Sequence, residues 1–139
     1  MKKLTLLLLV FFFNGLLIAQ TPLQLADTMF FNNKDYYSSV KLYNKALKKA
    51  TPEETKYINY QVAECYRYGN NYSEAKTAYE KAISSGYDLP PVNLHLGEML
   101  LLSGDYASAK TNIEKYLLAM SSNTFCVTLC GHKFCINCL

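Results

Sequence analysis

The sequence predicts an all-α fold: a solenoid of three helix-turn-helix repeats, followed by an irregular cysteine-rich tail. Three turns each end in a tyrosine, at Tyr36, Tyr72 and Tyr106, and a small residue follows each tyrosine three positions later. These tyrosines lie 36 and then 34 residues apart. A fixed period in the thirties is typical of stacked helical repeats, and the segments between the turns carry apolar residues at helical spacing.

Residues 1–20 have the pattern of a secretory signal peptide. Lys2 and Lys3 form a short basic start, an apolar run follows over residues 4–13, and Ala19 suits the position before a cleavage site. The run is shorter than the roughly 20 residues that a membrane span needs. It resembles the export signals of Gram-negative bacteria. We therefore expect an exported protein of the periplasm or outer membrane, with no membrane span after signal removal; the alternative is an uncleaved anchor.

Charge and motif content exclude several classes of function. The net charge is +3, and loss of Lys2 and Lys3 with the signal lowers it to +1. A nearly neutral protein has no electrostatic basis for binding nucleic acid or an anionic membrane. The sequence shows no phosphate-binding loop and no nucleophile motif, so we expect a protein that is not an enzyme and has no catalytic residues.

The first repeat spans about residues 22–52. Predicted helices cover Leu23–Phe31 and Tyr36–Lys49. The residues expected to face inward are Ala26, Phe30, Ser39, Tyr43, Ala46 and Leu47. Thr51 and Pro52 suit the N-cap and the first turn of the helix that follows.

The second repeat spans about residues 56–89 and is the clearest of the three. Predicted helices cover Tyr57–Tyr68 and Ser73–Ser84. Gly69, which is free to take a positive φ, is expected to end the first of them. One face of that helix is formed by Ile58, Val62, Cys65 and Tyr66, with Cys65 a buried hydrophobic residue; the other is formed by Tyr57, Tyr60, Gln61, Glu64 and Arg67. On the second helix, Ala75, Ala78, Tyr79, Ala82 and Ile83 are expected to pack inward.

The third repeat spans about residues 90–121. Its predicted helices cover Val92–Leu102 and Tyr106–Met120. Gly97 costs about 1 kcal/mol in a helix relative to alanine, so we attribute it to close packing of the partner helix. The other residues expected to face inward are Leu96, Leu100, Ala109, Ile113 and Leu117.

These residues resemble the tetratricopeptide repeat, a helix-turn-helix unit. The resemblance covers residues 22–121 and is best in the second repeat, at Ala63, Tyr66, Tyr72, Ala75, Tyr79 and Ala82. Departures occur at Asp27 and Ser39 in the first repeat and at Leu100, Ile113 and Tyr116 in the third. The resemblance implies a right-handed superhelix whose concave side is lined by the first helix of each pair.

By that resemblance the concave side binds another protein or a peptide, and the protein is a scaffold of the cell envelope. The residues implied to contact the partner are Tyr57, Tyr60, Gln61, Glu64, Arg67, Tyr68, His95 and Glu98. Further lining residues are Gln24, Thr28, Phe31 and Asn32 on the first repeat and Leu94, Leu101 and Leu102 on the third. Aromatic residues and arginine are typical of interface hot spots, although tyrosines at helical spacing also pack the repeats themselves.

The tail, residues 122–139, differs in composition from the repeats. It holds Cys126, Cys130, Cys135 and Cys138, with His132 among them. The spacing from Cys130 to Cys138 resembles the central segment of a RING-type zinc finger. A RING finger needs eight ligands for two zinc ions, and a structural zinc needs four. Because the partner cysteine pairs are missing here, we do not expect a ubiquitin ligase.

Three interpretations of the tail stay open. In the first, one zinc ion, the only cofactor considered, is bound by Cys130, His132, Cys135 and Cys138, and the protein acts through this segment. In the second, the cysteines form disulfides in an oxidising compartment. In the third, the segment is a joined or truncated fragment without a role, which agrees with the absence of a polar capping helix after Met120.

Overall fold

The structure, a computed structural model, describes residues 20–130, with side chains described as far as Ser122. Over that range the chain is a tetratricopeptide-like helical solenoid without strands, so the predicted all-α fold is confirmed. Each helix contacts the next along the chain. The helices are α1 (Pro22–Asp27, continued by a π-helical turn over Thr28–Asn32), α2 (Tyr36–Leu47), α3 (Pro52–Tyr68), α4 (Tyr72–Ser84), α5 (Pro91–Leu102) and α6 (Tyr106–Cys130).

The N-terminus of α3 is set by local hydrogen bonding. The helix begins at Pro52 and not at Tyr57, because Thr51 and Glu54 form a capping box. Thr51 Oγ1 accepts from the Glu54 amide at 3.3 Å, and Glu54 Oε2 accepts from the Thr51 amide at 2.8 Å. Two backbone amides that a helix start leaves without partners are thereby satisfied. The resulting 17-residue helix is long enough to contact both neighbouring repeats.

The turns within the three repeats each contain one residue with left-handed backbone. Gly69 is the C-cap that ends α3, as predicted, but it does not take a positive φ. Gly69 has φ −82°, and the left-handed residue is the next one, Asn70, with φ 60°. Lys34 (φ 56°) and Gly104 (φ 81°) occupy the equivalent places in the other two turns. Asparagine tolerates this region better than most residues with a side chain, so the second turn does not need a glycine there.

The core consists of two clusters that share α3. Ile58 and Cys65 of α3 pack in the first cluster, against Ala26, Phe30 and Tyr43. Ala63 of α3 packs in the second cluster, with side chains from α4, α5 and α6. The predicted burial of Cys65 is confirmed. Because one helix contributes to both clusters, α3 is the element that joins the first repeat to the rest.

Two predictions about α4 and α6 were wrong. Ile83 and Leu117, which lie 34 positions apart, were expected to pack inward but are exposed. Helix α6 continues past Met120 to Cys130, so residues 122–130 are helical and not irregular. The physical reason is that no glycine or proline occurs between Tyr106 and Cys130, and the first breaker is Gly131.

Gly97 lies where α5 and α6 approach most closely, as predicted. A Cβ atom at this position would be 2.6 Å from Ile113 Cγ1 and 3.3 Å from the Ala109 carbonyl oxygen. The first distance is shorter than side chains tolerate. The missing side chain therefore allows α6 to pack against α5 through Ala109 and Ile113.

We expect Gly97→Ala to destabilise the protein by about 1–3 kcal/mol through overpacking, although alanine is the better helix former. Urea unfolding followed by circular dichroism measures the change. The control is the pair Gly97→Ala with Ile113→Ala, which removes the clashing Cγ1 atom. Its loss of stability should be smaller than the sum of the two single losses; additive losses would show that the close approach does not constrain residue 97.

Candidate functional site

A hydrogen-bonded carboxylate joins the first three helices. Asp27 Oδ1, on α1, accepts from the Tyr43 hydroxyl at 2.7 Å and from the Tyr57 hydroxyl at 2.9 Å. Tyr43 lies on α2 and Tyr57 on α3, so one side chain fixes all three helices; we call it the Asp27 node. This explains why a carboxylate stands where the tetratricopeptide pattern has a small apolar residue.

A second carboxylate does the same for α3, α4 and α5. Glu64 Oε1 accepts from the Tyr79 hydroxyl on α4 and lies 2.8 Å from His95 Nδ1 on α5. Glu64 Oε2 accepts from Arg67 Nη2 at 2.6 Å, and Arg67 Nε donates to the Tyr79 hydroxyl at 3.0 Å. We call these four side chains the Glu64 node. Each node therefore joins both helices of one repeat to the first helix of the next.

The Glu64 node stabilises the charged form of a carboxylate that is almost removed from water. Glu64 is only 5% exposed, and burial by itself raises the pKa of a carboxyl group. Hydrogen bonds from His95, Arg67 and Tyr79 outweigh that effect and lower the pKa of Glu64 to about 2. Burial lowers the pKa of Arg67, but the adjacent Glu64 carboxylate raises it above its ordinary value. Glu64 and Arg67 thus form a charged pair inside the node.

The nodes correct part of the predicted binding set. Gln61 and Glu64 are buried, so neither is accessible to a partner in this conformation. His95 is held by Glu64, and the Tyr57 hydroxyl is held by Asp27. Helical periodicity does not predict this role, but the sequence carries one signal for it. In both repeats a tyrosine follows the carboxylate by 15 or 16 residues.

The remaining predicted residues lie nearer the surface. Tyr60 is half-buried and stacks on Tyr87, with ring centroids 4.4 Å apart and planes within 8°. Tyr68 is 49% exposed. One side of its ring stacks on Tyr36 at 5.4 Å, and the Arg67 guanidinium carbon lies 4.3 Å from the ring centroid. Glu98 is half-buried and borders the same region.

Exposed apolar side chains form a row across the C-terminal ends of α1, α3 and α5. The row consists of Phe31, Tyr68, Leu101 and Leu102, which are 44–62% exposed; we call it the apolar row. A cavity of about 530 Å³ opens beside it between α3 and α5, and its lining includes Arg67, Glu98 and Tyr72. Large exposed apolar side chains gathered beside a cavity are typical of interaction sites.

The predicted zinc ligands fall almost wholly outside the described residues. Cys130 is the last residue of α6, while His132, Cys135 and Cys138 lie beyond the described range, as does the predicted signal peptide up to Ala19. Among the side chains that the structure describes, no three His, Cys, Asp or Glu residues are grouped to hold a metal ion. None of the helices within residues 20–130 has the length and apolar character needed to cross a membrane.

Comparison with protein-family models identifies a repeat in this chain. Residues 57–85, most of α3 together with α4, match the model of the family described as Tetratricopeptide repeat. The matched segment contains Glu64, Arg67 and Tyr79 of the Glu64 node. Comparison with curated proteins found no match. Tetratricopeptide repeats mediate protein–protein interactions, so a role in binding other proteins follows for this segment.

We predict that stability falls with acid through the Glu64 node. The folded pKa of Glu64 (about 2) lies below its ordinary value of 4.5, so between these values the unfolded chain binds more protons. The stabilisation is fully present above about pH 4.5 and is lost as the pH falls toward 2. The full pKa difference corresponds to on the order of 3 kcal/mol. Urea unfolding at a series of pH values from 6 to 2.5 measures it.

The matched variants for this prediction are Glu64→Gln and Glu98→Gln, because the two glutamates lie 34 positions apart in successive repeats. Glu64→Gln should lower the free energy of unfolding at pH 6 and should make that free energy depend less on pH between 6 and 2.5. Glu98→Gln should leave both unchanged. An acid dependence that Glu64→Gln does not reduce would mean that other carboxylates cause it.

Proposed function

We propose that this protein is a non-enzymatic scaffold that binds a peptide or a partner protein along the surface formed by α1, α3 and α5. The observation that carries the proposal is the apolar row, which each of these three helices supplies at its C-terminal end. The match to the tetratricopeptide repeat supports a protein as the ligand. The binding surface thus includes the predicted residues Tyr60, Arg67, Tyr68 and Glu98, without the buried Gln61 and Glu64.

The chemistry of the row suits protein binding. Tyr68 offers a large ring that loses little conformational freedom on binding, since Tyr36 and Arg67 already hold it. Leu101 and Leu102 extend the apolar surface beside the cavity, and Phe31 extends it on α1. Arg67 and Glu98 add one cation and one anion at its border. A ligand would therefore combine apolar side chains with at least one polar contact.

The spacing of the row favours an extended peptide. Helices that pack through their side chains lie about 8–10 Å apart, and an extended chain advances about 3.3 Å per residue. In the extended polyproline II form, which has three residues per turn, every third side chain lies on the same side of the peptide. Such side chains would meet the row first near Phe31, then near Tyr68 and then near Leu102. A ligand with three apolar residues spaced in this way fits best.

The proposed location is the bacterial cell envelope, after export through the signal at residues 1–20. It rests on Lys2, Lys3, the apolar run and Ala19. A scaffold in the periplasm or at the outer membrane would meet its partner there. The helices α1 to α6 all lie after the proposed cleavage site, so export would deliver the whole binding surface.

We expect substitutions in the apolar row to weaken partner binding. Phe31→Ser and Leu102→Ser remove apolar contacts at opposite ends of the row, and each should weaken affinity about tenfold, as for hot-spot residues. Leu102 is 62% exposed, so its replacement should change stability by less than about 0.5 kcal/mol. Phe31 also packs edge-to-face on Phe30, so its replacement should cost about 1 kcal/mol. The partner is isolated from the source by crosslinking to the native protein, and its affinity for purified variants is then measured by calorimetry.

The control for this prediction is Tyr37→Ser, which removes an equally exposed aromatic residue from α2, outside the row. It should leave affinity within about twofold of the unchanged protein. If Tyr37→Ser weakens binding as much as the row variants, or if both row variants bind normally, the surface of α1, α3 and α5 is not the binding site.

We expect export to be visible in the mass of the protein from its source. The intact mass should correspond to a chain that begins at Gln20 or Thr21, recovered from the periplasmic or outer-membrane fraction. A chain that begins at Met1 and is recovered from the cytoplasm would contradict the envelope location. This outcome would leave the binding proposal to be decided by the row variants alone.

A further inference from the structure

The third repeat presents a carboxylate whose donors are missing. Glu98 on α5 lies 34 positions after Glu64 and therefore occupies the same place in its repeat. Glu64 takes one donor from the second helix of its own repeat, Tyr79, and one from the first helix of the next, His95. The residue equivalent to Tyr79 is Ile113, which has no donor. Among the described residues, none forms a hydrogen bond or an ion pair with the Glu98 side chain.

Arg67, a cation that lines the same cavity as Glu98, already makes hydrogen bonds to other side chains. Both residues line the cavity beside the apolar row. Arg67, however, donates to Glu64 and to Tyr79 at hydrogen-bond distance. It is therefore held by the preceding node and does not supply the donor that Glu98 lacks. The half-buried carboxyl group of Glu98 therefore lies near Leu101 and Leu102 without a hydrogen-bond donor.

Helix α6 also carries exposed apolar side chains. Leu117 is 56% exposed and Leu118 is 74% exposed. In the first two repeats, the second helix is covered by the first helix of the next repeat, since α3 packs on α2 and α5 packs on α4. No described helix covers α6 in this way. The third repeat thus combines an unpaired carboxylate on α5 with a second helix, α6, that no described helix covers.

We propose that this end of the solenoid receives an amphipathic helix from a partner protein, and that an arginine or lysine of that helix pairs with Glu98. Two observations argue for this occupant. The first is charge complementarity, because the site offers one carboxylate without a donor. The second is continuity with the interfaces already present, in which each incoming helix brings a donor to the carboxylate of the repeat before it: Tyr57 to Asp27, and His95 to Glu64.

We call the side of the third repeat that includes Glu98 and would receive this helix the end surface. It is a different binding site from the apolar row. A peptide along the row would cross all three odd-numbered helices, whereas the incoming helix would stack on the third repeat alone. The two sites share Leu101, Leu102 and Glu98, which borders the row. Phe31 on α1 belongs only to the row, and Glu98 is the residue that the end surface requires.

A peptide of residues 86–105 provides the probe, because it contains α5, the helix whose residue 95 already serves the equivalent carboxylate. Two versions carry His95→Arg and His95→Leu, with a fluorescein label for anisotropy titrations against the full chain. On the unchanged protein the arginine peptide should bind about tenfold more tightly than the leucine peptide, as expected for a charge-assisted hydrogen bond. The cost of folding a short helix is similar for both and leaves the ratio unaffected.

On the Glu98→Gln protein, the ratio of the affinities of the arginine and leucine peptides should fall to about one. Glu80→Gln, which changes an exposed carboxylate on α4, should keep it at about ten. A ratio that survives Glu98→Gln, or the absence of binding by either peptide, would overturn the proposal. So would a loss of peptide binding in Phe31→Ser, because the peptide would then occupy the row. Failure of the row variants to affect the native partner would count only against the proposed function.

Discussion

Glu64 is a buried carboxylate that is stabilised by hydrogen-bond donors from three helices. Removing a carboxylate from water costs several kcal/mol unless charged or polar groups replace the lost hydration. Arg67 from the same helix, Tyr79 from α4 and His95 from α5 supply those groups. Because each donor is a long side chain held at one point, the relative positions of the three helices are fixed together.

The surface of the odd-numbered helices depends on this arrangement. Arg67 reaches Glu64 and also lies over the Tyr68 ring, so the node orients the central residue of the apolar row. The Asp27 node holds α1 against α3 through the Tyr57 hydroxyl, and Phe30 on α1 contacts both Phe31 and Tyr68. The buried hydrogen bonds therefore fix the positions of α1, α3 and α5, and these positions set the spacing of the side chains in the apolar row.

Sequence reasoning recovers the features that local chemistry determines. The period of the tyrosines gives the three repeats, Thr51 and Pro52 mark the start of α3, and Gly97 marks the close approach of α5 and α6. It does not recover which polar residues are buried. Glu64 and Gln61 share a helix face with Tyr60 and Arg67, and the helical periodicity alone does not distinguish a carboxylate in solvent from one that three donors surround. That distinction depends on Tyr79 and His95, which are distant in sequence.

Two further predictions, the positive φ of Gly69 and the burial of Leu117, were wrong. Asn70, and not Gly69, takes the left-handed conformation, which asparagine tolerates better than most residues with a side chain. Leu117 is exposed, as is Ile83 at the equivalent place on α4, and the apolar pattern along a helix does not show which apolar residues its neighbours cover. Local sequence therefore fixes the helices, while the contacts between repeats decide what each helix face does.

Native-state hydrogen exchange of the unchanged protein and of Glu64→Gln tests the central claim, that the buried carboxylate couples the third repeat to the second. The account predicts that exchange in α5 and α6 becomes faster by roughly tenfold or more in the variant, because a local opening of the third repeat then costs less free energy. Exchange in α1 and α2 should change little. Equal acceleration in all six helices, or none in α5 and α6, would contradict the claim.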